Sequence, residues 1–177
     1  MRFSAVVGFL LVGLMGLPVS ARAAGGWAPQ VSREGLVMLD PAALLAAHNG
    51  YRARHGASPL TWSPVLATAA QVWADQCKLS HDPARSGWGE NLAWGTKMAA
   101  DTVAMWYREV TKYDFAKPGF APATAHFTQL VWKGTTQLGC GMALGCPGAF
   151  GGGYWVCRYA PPGNVRGRFP ENVEAGH

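Results

Sequence analysis

Ala125-His126-Phe127-Thr128-Gln129-Leu130-Val131-Trp132-Lys133-Gly134-Thr135 is the stretch on which the reading of this chain turns. It opens with a histidine and runs straight into apolar residues whose place is a core. An imidazole held at the edge of a packed segment is a fixed ligand or acid–base group, because the packing behind it sets its position. The chemistry then depends on which other titratable side chains reach that ring. The candidates are a second histidine, His81, and two carboxylates, Glu90 and Glu109.

The start of the chain bounds where that chemistry takes place. Met1-Arg2 is followed by an apolar run from Phe3 to Leu17, broken by Pro18, and Ala21-Arg22-Ala23 places small residues where a signal peptidase reads. The run is shorter than the roughly 18–20 residues a bilayer span needs, so residues 1–23 read as a secretory signal cleaved after Ala23. No later run reaches spanning length, and the expected product is soluble, secreted or periplasmic. Arg2 and Arg22 leave with the signal, lowering the net charge from +5 to +3. So small a charge, without a basic stripe, argues against a nucleic-acid binder. Cys77, Cys140, Cys146 and Cys157 all follow the signal, and an even exported set favours two disulfides. No Cys-x-x-Cys spacing suggests a zinc knuckle.

Residues 24–40 carry glycine and proline without periodicity and read as a leader. Asp40-Pro41 is an N-cap followed by proline at the first helical position. Leu44, Leu45, His48, Tyr51 and Arg52 recur at helical spacing, with Gly56 as the closing glycine. His48 on this helix reads as a buried ring donating to a backbone carbonyl. Ser63-Pro64 repeats the start signal, and Leu66, Ala69, Ala70, Trp73, Ala74 and Cys77 form one apolar stripe. A loop is expected from Gly87 through Leu92, in which Glu90 alone reads as a solvated charge. Residues 98–110 form a third helix with Val103, Trp106 and Val110 inward. Trp106 and Val110 flank Glu109, whose ionised form therefore needs a partner. Tyr113, Phe115 and Phe120 stand in a turn-rich segment, either plugging the core or forming an apolar lip. Leu138–Leu144 and Tyr154–Ala160 read as strands joined by a Gly-rich hairpin over 145–153. The tail, 169–177, reads as polar and extended.

Four motifs in order carry a resemblance: His48-Asn49-Gly50-Tyr51-Arg52, Gly89-Glu90-Asn91-Leu92, His126-Phe127-Thr128-Gln129-Leu130-Val131-Trp132, and Cys157-Arg158-Tyr159-Ala160-Pro161-Pro162-Gly163-Asn164. Over residues 41–168 the chain resembles the CAP superfamily of cysteine-rich secretory, antigen five and pathogenesis-related proteins. Its aromatic segment from Tyr113 to Phe120 is most similar to the fungal members. The resemblance implies an α+β fold, a three-layer α-β-α sandwich around a small antiparallel sheet. It also implies convergence of His81, Glu90, Glu109 and His126 in one cleft, and the pairings Cys77–Cys146 and Cys140–Cys157. Ala125 and Trp88 depart from the family pattern beside that cleft.

Two imidazoles facing one space are competent for zinc or another divalent cation, with Glu90 and Glu109 as ligands or as partners of the rings' other nitrogens. The resemblance also implies a binding module for a lipid or sterol, with Tyr113, Phe115 and Phe120 lining a groove. A hydrolase using Glu90 or Glu109 as general base is the alternative. The chain has neither a His-Glu-x-x-His run nor a Gly-x-Ser-x-Gly elbow, so the reading leans away from an enzyme. A module docking other proteins at a cell or host surface is the third possibility.

Overall fold

Both cap-then-proline signals start helices in the computed structural model, which describes residues 39–85 and 87–177. The signal and the leader, apart from Leu39 and Asp40, lie outside the described residues. The Asp40 carboxylate accepts from the Ala42 and Ala43 amides at 2.9 and 3.2 Å, opening α1 (Pro41–Ala53). Ser63 Oγ accepts from the Leu66 amide at 3.4 Å and opens α2 (Pro64–Ala74). Each side chain satisfies donors that the first helical turn leaves unpaired. The expected closure of α1 at Gly56 comes early, with Arg54 as the capping residue.

Four strands follow in the spatial order β1-β3-β4-β2: β1 is Thr61–Trp62, β2 Gly89–Thr96, β3 Gln137–Ala143 and β4 Gly153–Ala160. β2, β4 and β3 pair antiparallel, whereas the two-residue β1 lies parallel to β3 at the edge. The sheet is therefore mixed at that edge. The loop expected over 87–92 is corrected: from Gly89 onward the chain is strand, paired with β4 through Tyr159 and Arg158. Glu90 is buried there, not solvated.

Alternation along β3 and β4 separates two cores. Leu138, Cys140, Met142, Trp155, Cys157 and Tyr159 face α1, α3 (Ala99–Tyr107) and α4 (Ala125–Val131). Tyr154 and Val156 face α2, packing with Ala70, Trp73 and Ala74. α2 lies almost backbone to backbone on β3. A Cβ at Gly139 would sit 2.2 Å from the Ala67 nitrogen, and one at Gly141 2.3 Å from the Gln71 nitrogen. Those two glycines set the layer spacing.

Arg52 is fully buried and holds the helical layer to the loops beneath it. Its guanidinium donates to the carbonyls of Ser58, Leu130, Trp132 and Thr135 at 2.9, 3.0, 2.9 and 2.9 Å. Two of these acceptors lie at the C-terminal end of α4, where a cation also meets the negative end of the helix dipole. Burial lowers the Arg52 pKa from 12.5 to about 10, leaving it charged at neutral pH.

The disulfides are Cys77–Cys146 and Cys140–Cys157, the pairing the resemblance implied. The second joins residues directly opposite each other on β3 and β4. The C-terminal segment is not extended. It forms a short helix, α5 (Phe169–Asn172), and buries Phe169 and Val173, with Phe169 edge-on to Trp132 at 5.1 Å. Asn172 Oδ1 accepts from the Gly134 amide at 2.9 Å, fixing the turn after α4.

Candidate functional site

α4 begins without a side-chain cap from its own preceding residue. Glu109 takes that place from the 3-10 turn (Arg108–Lys112) that continues α3. Its Oε2 accepts from the His126 and Phe127 amides at 3.0 and 3.1 Å, and its Oε1 receives His126 Nδ1 at 2.7 Å. One carboxylate thus starts the helix and orients the ring. Trp106 lies nearly parallel to that ring, 6.3 Å away centre to centre at 20°. This is the partner that the sequence demanded for Glu109.

His81 is oriented in the same way. Its Nδ1 meets Glu90 Oε1 at 2.8 Å, and the Asp82 amide donates to the same oxygen at 3.1 Å. Glu90 Oε2 faces Arg158 Nε at 3.4 Å, and Arg158 also binds Asp82 Oδ2 at 2.5 Å. Arg158 is almost wholly buried and lies over the Trp88 ring. Burial works to raise the Asp82 carboxyl, but the Ala84 amide and Arg158 outweigh it and hold its pKa below the usual value. Arg158 and Asp82 escaped the sequence reading. The available signal was an arginine inside an apolar strand run, which a buried acid must answer.

His81, Glu109 and His126 border one cavity of about 500 Å³, whose walls are Leu79, Leu92, Trp94, Met105 and Trp106. A second cavity of about 310 Å³ shares His81 and His126 but is polar, with Arg85, Glu90, Asn91, Gln129 and Asn164 around it. The two imidazoles therefore stand where an apolar hollow meets a polar one. Each Nδ1 is engaged by a carboxylate, and among the described residues neither Nε2 has a protein hydrogen-bond partner. Each carboxylate receives its ring's Nδ1 and at least one backbone N–H, so both act behind the rings. Among the described residues no group of three or more His, Cys, Asp or Glu side chains is gathered for a metal. Two imidazoles, with solvent, are the donors that His81 and His126 would offer a cation at this cavity.

The aromatic segment divides. Tyr113 is buried, with its ring 4.9 Å from Phe115 and 5.6 Å from Phe127, and Phe115 also stacks on His55 at 6.3 Å. Both rings pack on Phe127, as the core-plugging alternative has it, and neither lines the two cavities at the histidines. Phe120 is exposed and reaches the polar cavity. His48 is the structural ring expected: Nδ1 donates to the Leu44 carbonyl at 2.7 Å, and Nε2 meets the Tyr159 hydroxyl at 2.9 Å. Burial lowers its pKa to about 4.

A disulfide-joined α-β-α sandwich with paired His–Glu groups at its cleft defines a class. The chain belongs to the cysteine-rich secretory protein (CAP) family, whose model matches residues 45–159. It is 46% identical over 129 residues to Protein PRY2 of Saccharomyces cerevisiae, covering 71% of this chain and 38% of that protein. To the human Golgi-associated plant pathogenesis-related protein 1 it is 39% identical over 140 residues, covering 73% of this chain and 89% of that one. The solved structure of NaASP2 with Zn2+ shares the fold with a TM-score of 0.60 at 23% identity, over 76% of this chain and 85% of that one. Among the described residues no helix is long and apolar enough to cross a membrane.

Proposed function

We propose that this chain is an exported binding module whose cleft takes a small lipid, a sterol or fatty acid, beside a divalent-cation site at His81 and His126. The observation that carries the reading is the cavity of about 500 Å³ with walls of Leu79, Leu92, Trp94, Met105 and Trp106 and the two imidazoles on its lining. Apolar walls favour a lipid body at about 25 cal/mol per Å² removed from water, while the few polar groups orient it. The cation reading is supported by Nε2 atoms that have no protein partner among the described residues and by the carboxylates behind each ring, the arrangement that fixes metal-binding histidines. NaASP2, with the same fold, was solved with Zn2+. A bound cation would supply an open coordination position for a ligand oxygen.

Equilibrium binding of radiolabelled cholesterol and palmitate tests the lipid reading. Met105→Asp is expected to weaken whichever binds at least tenfold, since it places a charge in the apolar wall. Failure of both lipids to bind the wild type would sink it. Calorimetric zinc titration tests the cation separately: His81→Ala and His126→Ala should each abolish most of the heat, and unchanged heats would remove the site.

A further inference from the structure

Phe120 stays outside the core that takes the other two rings of its segment. Tyr113 and Phe115 pack on Phe127, whereas Phe120 is 60% exposed. It borders the polar cavity and also a further one of about 730 Å³, lined by Pro118, Arg166, Phe169 and Pro170. Asn164 borders both as well, so the two hollows meet in one track with an exposed ring at the junction. The polar hollow holds hydrogen-bonding capacity that the fold leaves unused. Gln129 Oε1 accepts from the Gly163 amide at 2.8 Å, which fixes the carboxamide, and Nε2 gives one N–H to Thr135 Oγ1 at 3.2 Å. Asn164 is fixed likewise, with Nδ2 donating to the Ala125 carbonyl at 2.9 Å and Oδ1 accepting from the Thr128 hydroxyl at 2.6 Å. Each amide nitrogen carries two N–H groups, so among the described residues one on each is without a partner. Arg85 and Arg158 stand against Asp82 and Glu90, so the charges about this hollow balance, imidazoles aside.

We infer that this track binds a short neutral glycan, with one sugar in the polar hollow and the next across Phe120. A pyranose has a rim of hydroxyls to accept from the fixed amides of Gln129 and Asn164, and a C–H face that covers an aromatic ring. Phe120 and the half-buried Trp88 supply such rings. A lipid chain would leave the amides unpaired, and a polyanion would find no surplus of positive charge in the polar hollow. The track touches the same two imidazoles as the apolar cavity but needs neither a lipid nor a cation there.

The test titrates cellotriose, chitotriose and mannotriose into the protein after chelation of divalent cations, followed by nitrogen–proton correlation NMR. At least one trisaccharide should bind saturably and move the side-chain amide signals of Gln129 and Asn164 and the indole signal of Trp88. Phe120→Ala should weaken that sugar about tenfold by removing the ring face, with the thermal midpoint unchanged because the ring is exposed. Phe120→Trp should restore the affinity, which a merely structural role for the residue would not require. No binding by any of the three, an unchanged affinity in Phe120→Ala, or shifts confined to residues away from the track overturns the inference. A proline-rich peptide that binds where the sugars do not also overturns it and makes the track a peptide groove. The lipid and zinc titrations are separate measurements, so either reading can fail without the other.

Discussion

Acid should loosen this fold chiefly through one ring. His48 is fully buried between the Leu44 carbonyl and the Tyr159 hydroxyl, and burial lowers its pKa from 6.5 to about 4. The unfolded chain takes up this proton as pH falls through about 6.5, whereas the native ring resists until about 4. Between those values the unfolded state binds more protons, so stability falls with pH. At about 1.4 kcal/mol per unit, the loss from this group is about 3 kcal/mol by pH 4. The nearby Arg52 charge acts in the same direction as burial, and the Leu44 carbonyl partly opposes it. His55, lowered first by its own burial, adds to the trend. Urea unfolding at neutral pH and at about pH 4.5, for wild type and His48→Gln, isolates the contribution. The variant should lose about 2–3 kcal/mol less than wild type between the two conditions, whatever its stability at neutral pH. Equal losses would refute the argument and assign the acid sensitivity elsewhere.

Three further outcomes follow from packing. Arg52→Met strands four carbonyl acceptors in a buried site, and denaturant unfolding should show a loss of about 3–5 kcal/mol. Gly141→Ala drives a methyl into the α2 backbone, so it should cost at least about 3 kcal/mol or prevent recovery of folded, oxidised protein; a change under about 1 kcal/mol would contradict the close approach of α2 and β3. Phe169→Ala should cost about 3–4 kcal/mol, measured by the thermal midpoint, because the ring is buried against Trp132.

What the sequence disclosed follows from where its signals are local. Asp40-Pro41 and Ser63-Pro64 announce helix starts because capping is settled within four residues. Glu90 was hidden for two reasons. Its strand lies in the middle layer and buries residues on both faces, which erases alternation, and Gly89 looks like a turn. That glycine is there for space: a Cβ would fall 2.0 Å from Gln129 Oε1. β1 has only two residues and no pattern to read. The C-terminal segment concealed Phe169 and Val173, single apolar residues in a polar run whose value depends on a distant Trp132. At the site, both histidines and both glutamates were named from sequence with the family resemblance. The roles of Arg158, Asp82 and Trp106 depended on side chains brought together from far apart in the chain.

The fastenings of this molecule and the lining of its cleft are made of different residues. The two cystines join the α2 side and the central strands, and Arg52 ties the helices on the far side. Leu79, Trp94 and Met105 are none of these ties; Leu79 and Met105 are partly buried and Trp94 is exposed. A library restricted to those three positions should therefore yield folded proteins at high frequency, making the scaffold a tractable starting point for receptors with altered molecular tastes.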